Sequence, residues 1–531
     1  MYEAKYSKYI TKNDARFAEP EEIKECCEAI YKSKESKGCG AFLYYENKVM
    51  YVDNSDAHYF IKGGTGSKKS RVQGVNIINS IINAGENAVI NDPKGEMYKK
   101  TAAFANAKGY NILVFNLRDV TKSSGWNPLS LPYDLYMENN IPEAEQSLDD
   151  LTEAIIGPAK EKVADVYWPE MAGSIFNYSS KILADSVPKE LFNMSNVIQI
   201  THESNADALR RILNSMDQNS SAAISMHGVL DLVAEKTSSC IYSSLKASLK
   251  PFIQNKSLLD LLCRNDIDFS DLVTKKTVIY VIYPDEKTSL CFLINLFFTQ
   301  CYQYLISLSA KTEDGRLQRR VNFVLDEFSN LPAIENFENR ISEARGHNIR
   351  YFLFCQSFGQ LKNKYKENAD TIIANCDWII FPSKEIDFLE KISRMCGKRF
   401  DYRGKERSLV SVCDIQHMKK FTDGAEVLIL KSGQYPFVTQ IPDYEYVHTF
   451  GNYSEAKMNE IRSKNKPVFI SFEDWVDGIG EIYNFPFPKE KRDVDRRKVI
   501  NNKKNISFTD KNLEDELKRK FEELFGSDED E

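Results

Sequence analysis

Histidine is scarce in this sequence, six residues in 531, and none stands at metal-ligand spacing from another histidine or from a cysteine. A structural zinc site built from such pairs is therefore not expected. Paired cysteine spacing is missing as well. The eleven cysteines are scattered (Cys26, Cys27, Cys39, Cys240, Cys263 and onward), a pattern that fits free thiols in a reducing cytoplasm better than a disulfide framework. Residues 1–12 are polar, so neither a secretory h-region nor an N-terminal anchor is expected. Long apolar runs are lacking with one exception, residues 290–308. Asn295, Thr299, Gln300, Gln303 and Ser307 interrupt that run, so the expectation is a buried core helix and not a membrane span. An excess of positive charge is also absent: 70 Lys and Arg against 77 Asp and Glu give a net charge of −7. That balance excludes wholesale coating of nucleic acid but leaves room for a local basic channel.

What remains is the composition of a folded chain, 42% hydrophobic and 28% charged, long enough for two or three domains. Short apolar runs at residues 87–91, 111–115, 278–283, 321–325, 351–355 and 378–381 read as buried strands, with helical stretches between them. Such alternation predicts a doubly wound α/β sheet with ligand chemistry at the strand C-termini. Residues 144–250 change to helical periodicity, as in 205–216 and 222–234, and read as an all-α insertion. The expected organisation is an N-terminal segment (1–60), a nucleotide-binding domain in two parts (61–143 and 251–450), the all-α domain (144–250) and a charged extension (451–531). The extension carries a basic cluster (Lys489, Lys491, Arg492, Arg496, Arg497, Lys498) and an acidic end, a composition usual for solvated tails. One short helix is compatible with it, capped by Asp510 with Leu513, Leu517, Phe521 and Leu524 on one face.

Four segments carry candidate chemistry. Gly63-Gly64-Thr65-Gly66-Ser67-Lys68-Lys69-Ser70 follows the apolar Phe60 and Ile61 and precedes a helical run, the layout of a phosphate-binding loop. In such loops backbone N–H groups curl round the phosphates, a lysine (Lys69) neutralises them, and a hydroxyl (Ser70) holds Mg²⁺. Lys68 stands where a glycine is expected, and a side chain there is predicted to hinder close phosphate approach. Residues 321–325 deliver Asp326 and Glu327 at a strand end, suited to holding Mg²⁺ and to polarising the attacking water. Residues 351–355 deliver Gln356, a candidate γ-phosphate sensor, and Arg345 just before them is placed to reach a phosphate in an adjacent subunit. Asp92-Pro93-Lys94-Gly95-Glu96 admits two readings, a phosphate- or DNA-facing Lys94 or a plain turn closed by Asp92 and Gly95.

In order along residues 12–445, these segments resemble the type IV secretion coupling proteins, the TraG/TraD-like ATPases of conjugation. The resemblance is carried by Ala15-Arg16-Phe17-Ala18 with Glu21-Glu22-Ile23, the phosphate loop, Asn91-Asp92-Pro93-Lys94-Gly95-Glu96-Met97-Tyr98, Trp126-Asn127-Pro128-Leu129, Tyr167-Trp168, Pro284-Asp285-Glu286, Leu325-Asp326-Glu327-Phe328, and Gln356-Ser357 with Gln360-Leu361 and Asn375-Cys376. It implies a RecA-like P-loop NTPase domain, a mainly parallel sheet flanked by helices, with an inserted all-α domain. The implied cofactors are ATP and Mg²⁺. The implied partners are relaxosome proteins including the relaxase, DNA contacted without sequence readout, and the secretion channel. The expected assembly is a homo-hexamer, cytoplasmic and peripheral to the inner face of the membrane. Family members usually start with membrane helices, whereas this chain starts where their soluble part does, so membrane association is expected to be indirect. Two other readings stay open: an adaptor that keeps the fold without hydrolysis, motivated by Lys68, and a pump for protein effectors.

Overall fold

The computed structural model describes residues 15–476 apart from 33–36, 161–164, 207–208, 210–211, 213–222, 225–234, 285–289, 402–403, 452, 462, 464 and 473–474. The charged extension beyond 476, its candidate helix at Asp510 and most of the stretches 205–216 and 222–234 lie outside the described residues. All eleven cysteines are free thiols.

Fourteen strands are described. A small antiparallel sheet holds β1 (Glu28–Ile30), β2 (Ala41–Glu46) and β3 (Val49–Asp53). The central nine-stranded sheet is built from β4 (His58–Lys62), β5 (Asn87–Asn91), β6 (Asn111–Asn116), β7 (Thr277–Ile282), β8 (Val321–Leu325), β9 (Ile349–Cys355), β10 (Cys376–Ile380), β13 (Gly424–Leu430) and β14 (Phe437–Pro442). Its order is β14-β13-β10-β4-β9-β8-β5-β7-β6. From β10 to β6 every pairing is parallel, and β13 and β14 add an antiparallel edge. A separate exposed hairpin is formed by β11 (Lys398–Phe400) and β12 (Glu406–Ser408).

The apolar runs are strands because both faces of the sheet are covered, which demands hydrophobic residues at successive positions. On one face the helices Val75–Ala84 and Glu96–Ala107 and the small sheet pack Ile77, Ile78, Ile81, Phe42, Val52 and Phe104 against Tyr59, Ile61 and Ile90. The other face lies under the helix Cys291–Ser309, where Phe297 stacks on Phe115 at 5.0 Å and meets Trp126 edge-on. Among the described residues this helix alone is long and apolar enough to cross a membrane, yet it is mostly buried in the core, as its polar interruptions predict. Between β6 and β7 the described residues are helical, including Ile141–Lys160, Tyr167–Ser186, Met194–Ile200 and Glu235–Ile253, and contain no strand.

Register brings the strand ends to one edge. Lys62 pairs with Cys355, Leu325 with Leu353, and Asn91 with Leu325. The residues that follow β4, β9, β8 and β5 therefore emerge side by side, where doubly wound sheets bind their ligands.

Candidate phosphate-loop site

The loop after β4 is closed by its own backbone. Gly63 N–H donates to the Cys355 carbonyl (3.1 Å), Gly64 N–H to the Pro382 carbonyl (3.4 Å) and Ser67 N–H to the Gly64 carbonyl (3.1 Å). Gly66 adopts φ +70°. A Cβ on Gly63 would lie 2.5 Å from Ser67 Oγ and 2.8 Å from Phe381 Cβ, so only glycine lets this turn close. The chain then enters a wide first turn, Ser70–Gly74, that runs into Val75–Ala84. A helix N-terminus thus points at the loop, a ready anion site.

Lys69 is almost completely buried, and its ammonium lies 3.6 Å from Glu327 Oε1. Ser70 Oγ donates to both Asp326 oxygens at 3.2 Å. Burial pushes the Asp326 carboxyl up to about 7, against the pull of the Lys69 cation. Glu327 sits at φ +52°, outside the comfortable range for a glutamate. Its Oε1 accepts Gln356 Nε2 at 2.5 Å, and its Oε2 is buried with no partner. Gln356 Oε1 in turn accepts Thr65 Oγ1 at 3.1 Å. The structure therefore joins Thr65, Lys69, Ser70, Asp326, Glu327 and Gln356 in one cluster.

Lys68 takes the left-handed backbone (φ +68°) that the expected glycine would adopt without strain. Its side chain leaves the loop: the ammonium donates to the carbonyls of Phe421 (2.8 Å) and Thr422 (2.9 Å) and faces Asp443 at 3.8 Å. The hindrance expected of that side chain is thus relieved by its direction. Arg345 is not part of this cluster. It precedes β9, so the seven residues of that strand hold it roughly 20 Å from the loop, exposed, with its guanidinium on the Asn375 carbonyl. Asp92 follows the turn reading: its carbonyl accepts Gly95 N–H at 3.0 Å and its buried side chain accepts Tyr98 N–H at 2.8 Å, capping the next helix. Lys94 stands exposed on that turn.

Several contributors went unread in the sequence. Lys420 donates to the Gly66 carbonyl at 3.2 Å, and Arg71 grips the fully buried Asp443 through two bonds of 2.7 and 3.0 Å. Both bring the β13–β14 edge onto the loop. Lys62, the last residue of β4, is fully buried against Gln356, Ser383 and Glu385. No local pattern marks these residues, since each finds its partner hundreds of positions away.

The donor set fits a magnesium nucleotide. A carboxylate and a hydroxyl are hard oxygen ligands of the kind Mg²⁺ takes alongside phosphates and water. The unpartnered Ser67 Oγ and Glu327 Oε2 are buried polar atoms of the loop and its facing strand end that await a hydrogen-bonding group.

Similar proteins are found by sequence and by structure. The type IV secretion system-coupling protein VirD4 of Bartonella henselae is 23% identical over 274 residues, 50% of this chain and 42% of that protein. The conjugal transfer protein TraG of Escherichia coli is 21% identical over 343 residues, 60% of this chain and 52% of that protein. The chain spans about half or less of the length of these curated relatives. Among solved structures, the plasmid coupling protein TrwB in complex with the ATP analogue ADPNP superposes with a TM-score of 0.52 at 14% identity, over 87% of this chain and 97% of that one. TrwB has also been solved with ADP and Mg²⁺ (TM-score 0.51, 14% identity, 85% and 96% covered). That likeness shows the fold, a RecA-like sheet with a helical region. The family described as type IV secretory system conjugative DNA transfer matches residues 7–402, about three quarters of the sequence, and the chain belongs to that family.

Proposed function

We propose that this chain is a coupling ATPase: it binds ATP and Mg²⁺ at residues 63–70 and uses hydrolysis to drive DNA, delivered by relaxosome proteins, into a type IV secretion channel. The observation that carries this reading is the joined cluster of Lys69, Ser70, Asp326, Glu327, Gln356 and Thr65 at aligned strand ends. Family membership and the nucleotides held by TrwB support it.

The loop amides and the Val75–Ala84 helix face the phosphates, and Lys69 moves from Glu327 onto them. Ser70 and Asp326 would hold Mg²⁺, which would spread the charge of the transferred phosphoryl group. Glu327, freed of Lys69, takes the proton of the attacking water, with Gln356 fixing its carboxylate from the other side. Arg345, exposed at the opposite sheet edge, acts only across a subunit boundary in a hexamer. DNA is contacted through its backbone, without sequence readout. The assembly works at the inner face of the cell membrane.

The test is single-stranded-DNA-stimulated ATP hydrolysis by the parent and by Glu327→Gln. Loss of a proton acceptor is expected to lower kcat by about a hundredfold or more while nucleotide binding persists. Turnover by Glu327→Gln at the parental rate would remove Glu327 as the base.

A further inference from the structure

Lys62 is a lysine with no exposed surface, placed immediately before the phosphate loop. Its ammonium has three acceptors: the Gln356 carbonyl at 2.8 Å, Ser383 Oγ at 3.1 Å and Glu385 Oε2 at 2.9 Å. All three belong to segments that frame the site. Glu385 stands at the entrance to the helix Ile386–Met395, about a third exposed, and its Oε1 accepts Ser357 Oγ at 2.6 Å while its Oε2 accepts Phe358 N–H at 3.1 Å. Burial opposes ionisation of Glu385, but the bonds from Ser357 and Lys62 outweigh it and hold the carboxyl below its ordinary range. The pair thus grips the chain at 356, 357 and 358 in succession. The same connection after β10 touches the phosphate loop, through Gly64 N–H on the Pro382 carbonyl and Phe381 N–H on the Lys62 carbonyl at 2.8 Å.

An ammonium buried among apolar strands is not the cheapest way to fill space, because a hydrophobic residue of similar volume often packs as well or better. What an ion pair supplies here is direction. Gln356 has to present one amide to two partners, Thr65 on the loop and Glu327 in the turn after β8, and a side chain can do so only from a fixed backbone. We propose that Lys62 and Glu385 are positioning residues for ATP hydrolysis, a buried ion pair that clamps the main chain at Gln356 so that its amide bridges Thr65 and Glu327. The inference rests on the ATPase reading above.

Glu385→Gln tests it with little change of shape: the glutamine oxygen can keep the bond from Phe358 N–H while its NH2 turns to Ser357 Oγ, which can accept it, and the charge facing Lys62 is removed. Lys62→Met is its counterpart inside the core. DNA-stimulated turnover, nucleotide binding and the unfolding midpoint are measured for the parent, Glu385→Gln, Gln356→Ala, the double variant and Glu327→Gln. The expected result is a folded Glu385→Gln with Kd for ATP within about threefold of the parent, kcat lower by about tenfold or more, and no further loss when it is combined with Gln356→Ala, because both act through one amide. A merely structural role would give losses that multiply with Gln356→Ala, and that result, or an unchanged kcat, overturns the inference alone. A parent that shows no DNA-stimulated turnover above the rate without protein overturns the ATPase reading and the inference with it. Should Lys62→Met fail to fold, Lys62→Arg combined with Glu385→Gln reads the same coupling, with non-additive loss of kcat expected and additive loss contradicting it.

Discussion

At the scale of residues, the loop shows how a side chain can depart from its motif and leave the backbone path intact. A lysine in the left-handed region costs about 1–2 kcal/mol relative to glycine, and the bonds from Lys68 to the Phe421 and Thr422 carbonyls return a similar amount. Lys68→Gly should therefore change stability by no more than about 1 kcal/mol and ATP affinity by no more than a few-fold, read by urea unfolding and by titration of ATP. His58 gives a second prediction. Its Nε2 meets the Ile341 carbonyl at 2.9 Å and its Nδ1 accepts Tyr351 N–H at 3.0 Å, so the neutral ring is fully satisfied and a proton on Nδ1 would confront a donor. Burial, followed by the Arg345 and Arg350 cations, lowers its pKa to about 3. The unfolded chain binds that proton below about 6.5 and the folded chain does not, so this contribution is whole above that pH and is lost as pH falls towards 3. Between about pH 7 and pH 5 the loss should be about 2 kcal/mol, and His58→Asn should flatten that slope in unfolding titrations.

Elements bring the site together through their ends. Gly63 joins β4 to the loop, and a methyl there meets Ser67 and Phe381, so Gly63→Ala should abolish ATP binding while circular dichroism and cooperative unfolding remain those of a folded chain. Retained binding would show that the loop closes another way. The parallel strands were legible because burial on both faces writes them as unbroken apolar runs. Their limits were less so: β9 begins at Ile349 and carries Arg350, fully buried on Asn322, Cys39 and Ser55, a charge that reads in sequence as a break. The β2–β3 hairpin escaped notice because its turn uses Asn47 and Lys48, both at positive φ, where Asn-Gly would have announced it. The edge strand β14 alternates buried and exposed residues and lies far from any motif, and the turn that leads into β13 supplies the carbonyls that hold Lys68.

For the whole molecule, fold and family were readable from ordered motifs, and the loop, the Asp326-Glu327 pair and Gln356, read from their places at strand ends, lie together in the structure. Lys62 and Glu385 were not, because a lysine closing an apolar strand ordinarily reaches water and only the three-dimensional path of the chain closes over this one. The helical region is inserted between β6, the edge strand opposite β14, and its neighbour β7. The most direct test of the account is calorimetric titration of ATP with Mg²⁺ into the purified parent and into Lys69→Ala. The account predicts saturable binding by the parent that falls by at least tenfold without the Lys69 ammonium; no binding by the parent, or equal binding by both, would contradict it.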